Sequence, residues 1–325
     1  MGSNKKKAGC GGGEEGRWEG LNPEVLAQIF VRIEAEERVK TVGLVCRSWL
    51  EAVAGPYCWT DIDIEQWCRR SNRPLHLVDS AVRKLVRRSK CTFTRVSACK
   101  LGDSAFSFIA NWFDLMTVLD LHLLGSIARY LKVLQIPMSE VTDKMVEKHA
   151  GSLVNITVLD ISYCLKITCK GLTYFGKKCK SLIHLKRNMP PPEWENPTQV
   201  VTFKIDDSEA MIIADSMTGL CHLQLGFGRF GDHGLDAILT KCKELTHLDI
   251  QGCWNVEMEG ELKDKCERLA VFNGPWLHDY EYEGILETDG SGADTSDQSS
   301  SSDSDYVSKF VSVFLSLQPF NQLQQ

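Results

Sequence analysis

The chain has no run of 18 apolar residues and no apolar signal stretch near its N-terminus, so neither a membrane span nor secretion is indicated. It has 13 cysteines, an odd number, yet no Cys-x-x-Cys pair. In a chain with no secretion signal this pattern reads as buried, reduced thiols, with no disulfide and no structural metal expected. HExxH, GxSxG and a glycine loop ending in GK[ST] are all missing, so no catalytic constellation or nucleotide cofactor is expected and the chain reads as a non-enzyme. Lys6 stands where an N-myristoylation signal needs Ser or Thr. A net charge of −6 without a basic stripe argues against nucleic-acid binding. Nucleus and/or cytoplasm is the expected location.

What is present begins at Trp18. Residues 18–59, WEGLNPEVLAQIFVRIEAEERVKTVGLVCRSWLEAVAGPYCW, pack three short amphipathic helices into a stretch with too many large apolar side chains to cover by itself. Asn22 is a good N-cap and Pro23 suits a first turn. Val25, Leu26, Ile29, Phe30 and Ile33 form the stripe of a half-buried helix. A second helix is expected from Ala35 to about Val42. A third is expected from about Val45 to Ala54, stopped by Gly55 and Pro56. Leu21, Pro23, Glu24, Val25, Leu26, Ile29, Phe30, Ile33, Val45, Cys46 and Trp49 fall where an F-box carries L, P, E, I, L, I, F, L, V, C and W, so the module resembles an F-box. The resemblance departs at Asn22, which separates Leu21 from Pro23, and in the charged turn Glu34 to Arg38. It implies docking on a Skp-type adaptor, and through it on a cullin and a RING protein. Leu21, Pro23, Glu24, Leu26, Ile29, Phe30 and Val45 are the expected contacts, while Trp49, Tyr57 and Trp59 are expected to seal the joint to the next domain.

Beyond the module an internal period organises the chain. Ile156, Leu159, Ile161 and Cys164 are answered by Leu245, Leu248, Ile250 and Cys253, both reading LxxLxLxxC. The two copies are three periods of 26 residues apart once the Pro-rich insertion Met189–Gln199 is discounted. Leu182 and Leu185, Leu220, Leu223 and Leu225, and Leu131, Leu134 and Ile136 are intermediate copies; Met116, Leu119 and Leu121 form a weaker one. Cys179, Cys242 and Cys266 each precede the next strand by three residues. This pattern resembles cysteine-containing leucine-rich repeats, whose leucines and cysteines stack as inward ladders that one repeat cannot bury alone. The expected fold class is α/β: a three-helix F-box followed by a short open solenoid, with parallel strands on the concave face and helices on the convex face.

Residues 1–16 read as a flexible leader, 17–60 as the F-box, 61–90 as a linker strand and helix, and 91–275 as about six or seven repeats. Residues 276–325 read as an acidic, Ser-rich tail. Strand residues between the inward leucines face the concave surface. One column there is Val133, Val158, His184, His222 and His247; the next is Gln135, Asp160, Lys186, Gln224 and Asp249. His184, Lys186, His222, Gln224, His247 and Asp249, with Trp194 of the insertion, are the expected contacts for a protein substrate. The layout, with an F-box ending in GPYCW at Gly55–Trp59, is similar to plant F-box/leucine-rich-repeat proteins, and implies a substrate receptor of a cullin–RING ubiquitin ligase. A ligase-independent interaction scaffold, in which the helices only cap the solenoid, is the alternative.

Overall fold

The computed structural model describes residues 18, 20–70, 73–115, 131–191 and 204–275. Leader, acidic tail, Trp194 and the weak copy Met116–Leu121 lie outside them.

Helix α1 (Pro23–Phe30) starts as its sequence demands: the Asn22 side chain accepts the Glu24 N–H at 2.9 Å, and Pro23 occupies the first turn. Helix α2 (Ala35–Lys40) is followed by a 3-10 turn at Val42–Leu44, and α3 (Arg47–Ala54) ends at Gly55. A second 3-10 turn, Pro56–Trp59, leads straight into strand β1 (Asp61–Asp63). The order continues α4 (Glu65–Arg70), α5 (Leu75–Ser89), β2 (Arg95–Ser97), α6 (Asp103–Leu115), β3 (Val133–Gln135) and α7 (Asp143–His149). It closes with β4 (Val158–Asp160), α8 (Cys169–Lys178), β5 (His184–Lys186), α9 (Ser208–Ser216), β6 (His222–Gln224), α10 (Asp232–Lys241), β7 (His247–Asp249), α11 (Glu261–Glu267) and β8 (Val271–Asn273).

The eight strands form one parallel sheet in sequence order, the architecture of a solenoid. Each middle residue points inward: Ile62, Val96, Leu134, Leu159, Leu185, Leu223 and Leu248 are all buried, in one continuous core with the inner side chains of the helices. Two boundaries differ from those the sequence indicates. The sheet starts at Asp61, inside the stretch read as a linker, because Ile62 pairs in register with Val96 and packs as any repeat leucine does. The β2 strand pairs directly with β3, Arg95 opposite Val133, so the sheet passes from one to the other with no strand from the weaker copy at Met116–Leu121 between them.

Three devices lock successive repeats. Backbone turns in the left-handed region recur three residues past a strand, at Lys100, Met138, Tyr163, Phe227 and Gly252. Only Gly252 is free of the steric cost, and a Cβ there would meet the Phe227 ring at 2.5 Å. Buried thiols reach back one repeat: Cys164 Sγ donates to the Ile136 carbonyl and Cys253 Sγ to that of Leu225, both at 3.1 Å. Burial pushes both thiols up to about 12. Aspartates beside helix starts reach forward. Asp103 accepts the Thr142 N–H at 2.8 Å and Asp143 those of Thr168 and Gly171 at 2.8 and 2.9 Å. Asp207 accepts the Gly231 N–H, and Asp232 that of Glu257, both at 2.9 Å.

Candidate functional site

Two surfaces carry the residues singled out by the sequence. On the N-terminal module, Leu26 (0% exposed) and Phe30 (2%) lie inside the module's own core, with the Phe30 ring 4.8 Å from that of Trp49. They are supports and cannot touch a partner while the module is folded, which corrects their assignment as contacts. Pro23, Glu24, Ile29 and Val45 are exposed and Leu21 is half-buried. The outer face also carries Val25, a motif position not assigned as a contact, and Leu44 (82% exposed) and Leu50 (53%), which the motif does not mark. Val25 and Ile29 are four residues apart on α1 and so share a face. Val39, Gly43, Leu44, Leu50 and Val53 line a shallow depression of about 100 Å³. Apolar residues this exposed, grouped on one small module, form the kind of patch that a second protein covers.

The seal to the solenoid is made by other residues than the aromatic trio alone. Trp59 is fully buried and donates its indole N–H to the Val53 carbonyl at 2.7 Å, but Tyr57 stays exposed and Trp49 packs within the module. The main clasp is Arg38, from the charged turn that departs from the F-box pattern. It is 2% exposed, lies 4.8 Å over the Trp59 ring, and donates to the carbonyls of Ile33 (2.9 Å), Cys58 and Asp61 (3.5 Å). Burial lowers its pKa, opposed by nearby Cys58, Asp61 and Asp63. The only signal for it in the sequence is an arginine at the spacing of a buried position on a short helix.

On the sheet, the register brings the two columns together. Val133, Val158, His184, His222 and His247 are successive neighbours, and so are Gln135, Asp160, Lys186, Gln224 and Asp249. Asp61 and Arg95 extend the first column at one end and Val271 at the other; Asp61 falls outside the stretch read as repeats, while Arg95 and Val271 lie inside it on strands without the repeat's leucine pattern. The His222 and His247 rings stack with centroids 4.1 Å apart, and the His184 ring lies tilted against His222 at 5.1 Å. Burial first, then the charges of Lys186, His222 and His247, push His184 down to about 4; burial and His247 lower His222 too. His184 and His222 are therefore held in the neutral form at neutral pH. Stacked rings do not converge on a point, and among the described residues no three His, Cys, Asp or Glu are grouped to hold a metal ion.

Beside this strip Asp160 is buried and accepts the Ser162 N–H at 2.9 Å, and Asp249 accepts from Asn273 Nδ2 at 3.2 Å, so both are braced. Lys186 is half-buried beside Asp160, whose carboxyl is raised by burial although Lys186 opposes the shift. Arg187, 2% exposed, anchors the start of the insertion: it donates to the carbonyls of Cys164 (3.0 Å) and Ile167 (2.7 Å) and pairs with Glu209 at 2.9 Å.

Residues 18–65 match the F-box-like family model. F-box protein FBW2 of Arabidopsis thaliana is 35% identical over 79% of this chain and 75% of its own length. F-box protein SKIP1 of the same plant is 31% identical, covering 73% of this chain and 79% of itself. F-box/LRR-repeat protein 23, again from Arabidopsis, is 29% identical over 79% of this chain and 53% of its own length. With a helical module at 18–65, a parallel repeat sheet behind it and relatives alike over most of their length, the chain belongs to the plant F-box/leucine-rich-repeat proteins.

Proposed function

We propose that this protein is a non-catalytic substrate-recognition subunit of an SCF-type cullin–RING ubiquitin ligase. The module docks on a Skp-type adaptor through Pro23, Glu24, Val25, Ile29, Leu44, Val45 and Leu50, and the concave columns hold a target protein. Holding target and ligase on one chain raises the effective concentration of the target's lysines at the transfer site, which needs no catalytic group on the receptor. The observation that carries the reading is the module itself: its F-box-like core is complete, yet Leu44, Val45 and Leu50 remain over half exposed. The imidazole strip His184–His222–His247, flanked by Lys186, Gln224 and Asp249, suits recognition by contact and hydrogen bonding. The proposed site of action is the nucleus and/or cytoplasm.

The test is calorimetric titration of the full chain with a recombinant plant Skp-type adaptor. Wild type binds, and Leu44→Asp with Val45→Asp abolishes binding while leaving the melting temperature within a few degrees. Absence of binding by wild type, or full binding by the double variant, would leave a ligase-independent scaffold as the better reading.

A further inference from the structure

A groove of about 360 Å³ runs between the module and the first repeat, lined by Ala35, Val39, Ile64, Trp67, Ala81 and Leu85. Its wall belongs to three helices that the joint holds together: α2, α4 and α5. Val39 and Arg88 also line the depression that contains Leu44 and Leu50. The exposed apolar face of the module therefore continues through Val39 to the first helices of the solenoid.

The rim of the groove is basic. Lys40, Lys84 and Arg88 border it, and the single carboxylate there, Glu36, is already paired with Lys40 at 2.5 Å and with Arg70 at 3.5 Å. Helix α5 adds to the imbalance. Of its basic residues Lys84 and Arg88 line the groove, while Arg83 donates to Ser104 Oγ and Arg87 lies over the Phe108 ring; its one acid, Asp79, is buried and accepts the Gly102 N–H at 2.9 Å. The net positive charge of this face is thus unanswered within the joint.

We propose that this groove is a second docking surface for the adaptor seated on the module, taking an apolar segment of the adaptor flanked by carboxylates. The inference rests on the adaptor reading above and adds to it a specific consequence: the adaptor bridges module and first repeat, so it fixes the direction in which the concave face is presented to the ligase. Continuity of the apolar surface selects the adaptor as occupant, and the basic rim selects the acidic flank. Because Arg38 and Trp59 hold the joint shut from the other side, the groove meets its partner already formed.

Calorimetry with the recombinant adaptor and the full-length chain tests this with two variants. Ala81→Trp fills the groove; Lys84→Glu reverses a rim charge on an exposed residue with no fold role. Each is expected to weaken adaptor binding about tenfold, and Lys84→Glu to flatten its dependence on salt between low and physiological ionic strength. Lys177→Glu, on the exposed end of α8, serves as the control and leaves affinity unchanged. Amide exchange in α5 of the wild-type chain slows on adaptor binding. If both groove variants bind within twofold of wild type while Leu44→Asp with Val45→Asp still abolishes binding, the second surface is refuted and the adaptor reading stands. If the double variant binds normally, the adaptor reading itself fails. A wild-type chain that dimerises in light scattering, with Ala81→Trp monomeric, would instead assign the groove to a second copy and overturn the proposal.

Discussion

At Phe30 the ring packs 4.8 Å from Trp49 in a site with no solvent contact, so its removal leaves a cavity that this small module has little means to collapse. Phe30→Ala is expected to cost about 3–5 kcal/mol in urea denaturation, whereas Leu44→Asp, at a side chain 82% exposed, leaves the midpoint nearly unchanged. The pair separates support from contact in a stripe where both kinds of residue look alike. Arg38 makes the same point with opposite polarity. Arg38→Met keeps the length and removes the donors, orphaning the buried Cys58 carbonyl and the partly buried ones of Ile33 and Asp61; a loss of about 2–4 kcal/mol is expected. His184 gives a pH signature. Its folded pKa of about 4 lies below the ordinary 6.5, so the unfolded chain takes up a proton first and stability falls as pH drops from about 6.5 toward 4. Above pH 6.5 the term is constant. In a proton NMR titration the His184 ring should stay neutral at pH 5, and His184→Gln should flatten the stability profile across that window.

At the level of the repeat, the alternation of buried leucines and exposed polar residues was legible because a strand has period two and every repeat reuses it. Cysteine positions were legible for the same reason, and the structure adds what their thiols do: Cys164 and Cys253 each satisfy a carbonyl of the preceding repeat. Both thiols are sealed and held protonated by burial. In the native chain, a thiol reagent at pH 8 should therefore modify half-buried Cys46, Cys169 and Cys221 first and reach Cys164 and Cys253 only on unfolding, as peptide mass mapping can read. The aspartate clasps were not legible. Along the chain Asp143 is an acidic residue in a helix's first turn, and only the stacking of α7 beside α8 puts its carboxylate 2.8 Å from the Thr168 N–H.

Across the whole molecule, module and solenoid share one apolar core that runs from Leu26 and Phe30 through Trp59 and Ile62 to Val82, Val86 and Val96. Scanning calorimetry should accordingly show the module melting together with the first repeats, not as a separate low-temperature step. The stretch read as a linker is the reason. Asp61 to Ser89 supplies the first strand and the helix that covers it, so residues 61–90 belong to the fold that they were expected merely to connect.

The sequence by itself determined the helices of the module, the parallel repeat, the inward ladders of leucine and cysteine, and which strand residues share a column. All of these are periodic along the chain, and periodicity is a local property that neighbouring residues record together. Only the tertiary structure decided which half of the α1 stripe is covered, that Arg38 is a buried clasp, that the sheet begins at Asp61, and that three imidazoles line up ring against ring. Those outcomes depend on what packs against a residue from far along the chain. A side chain becomes support, contact or clasp through the neighbour that removes its water, and the identity of that neighbour is not written beside it.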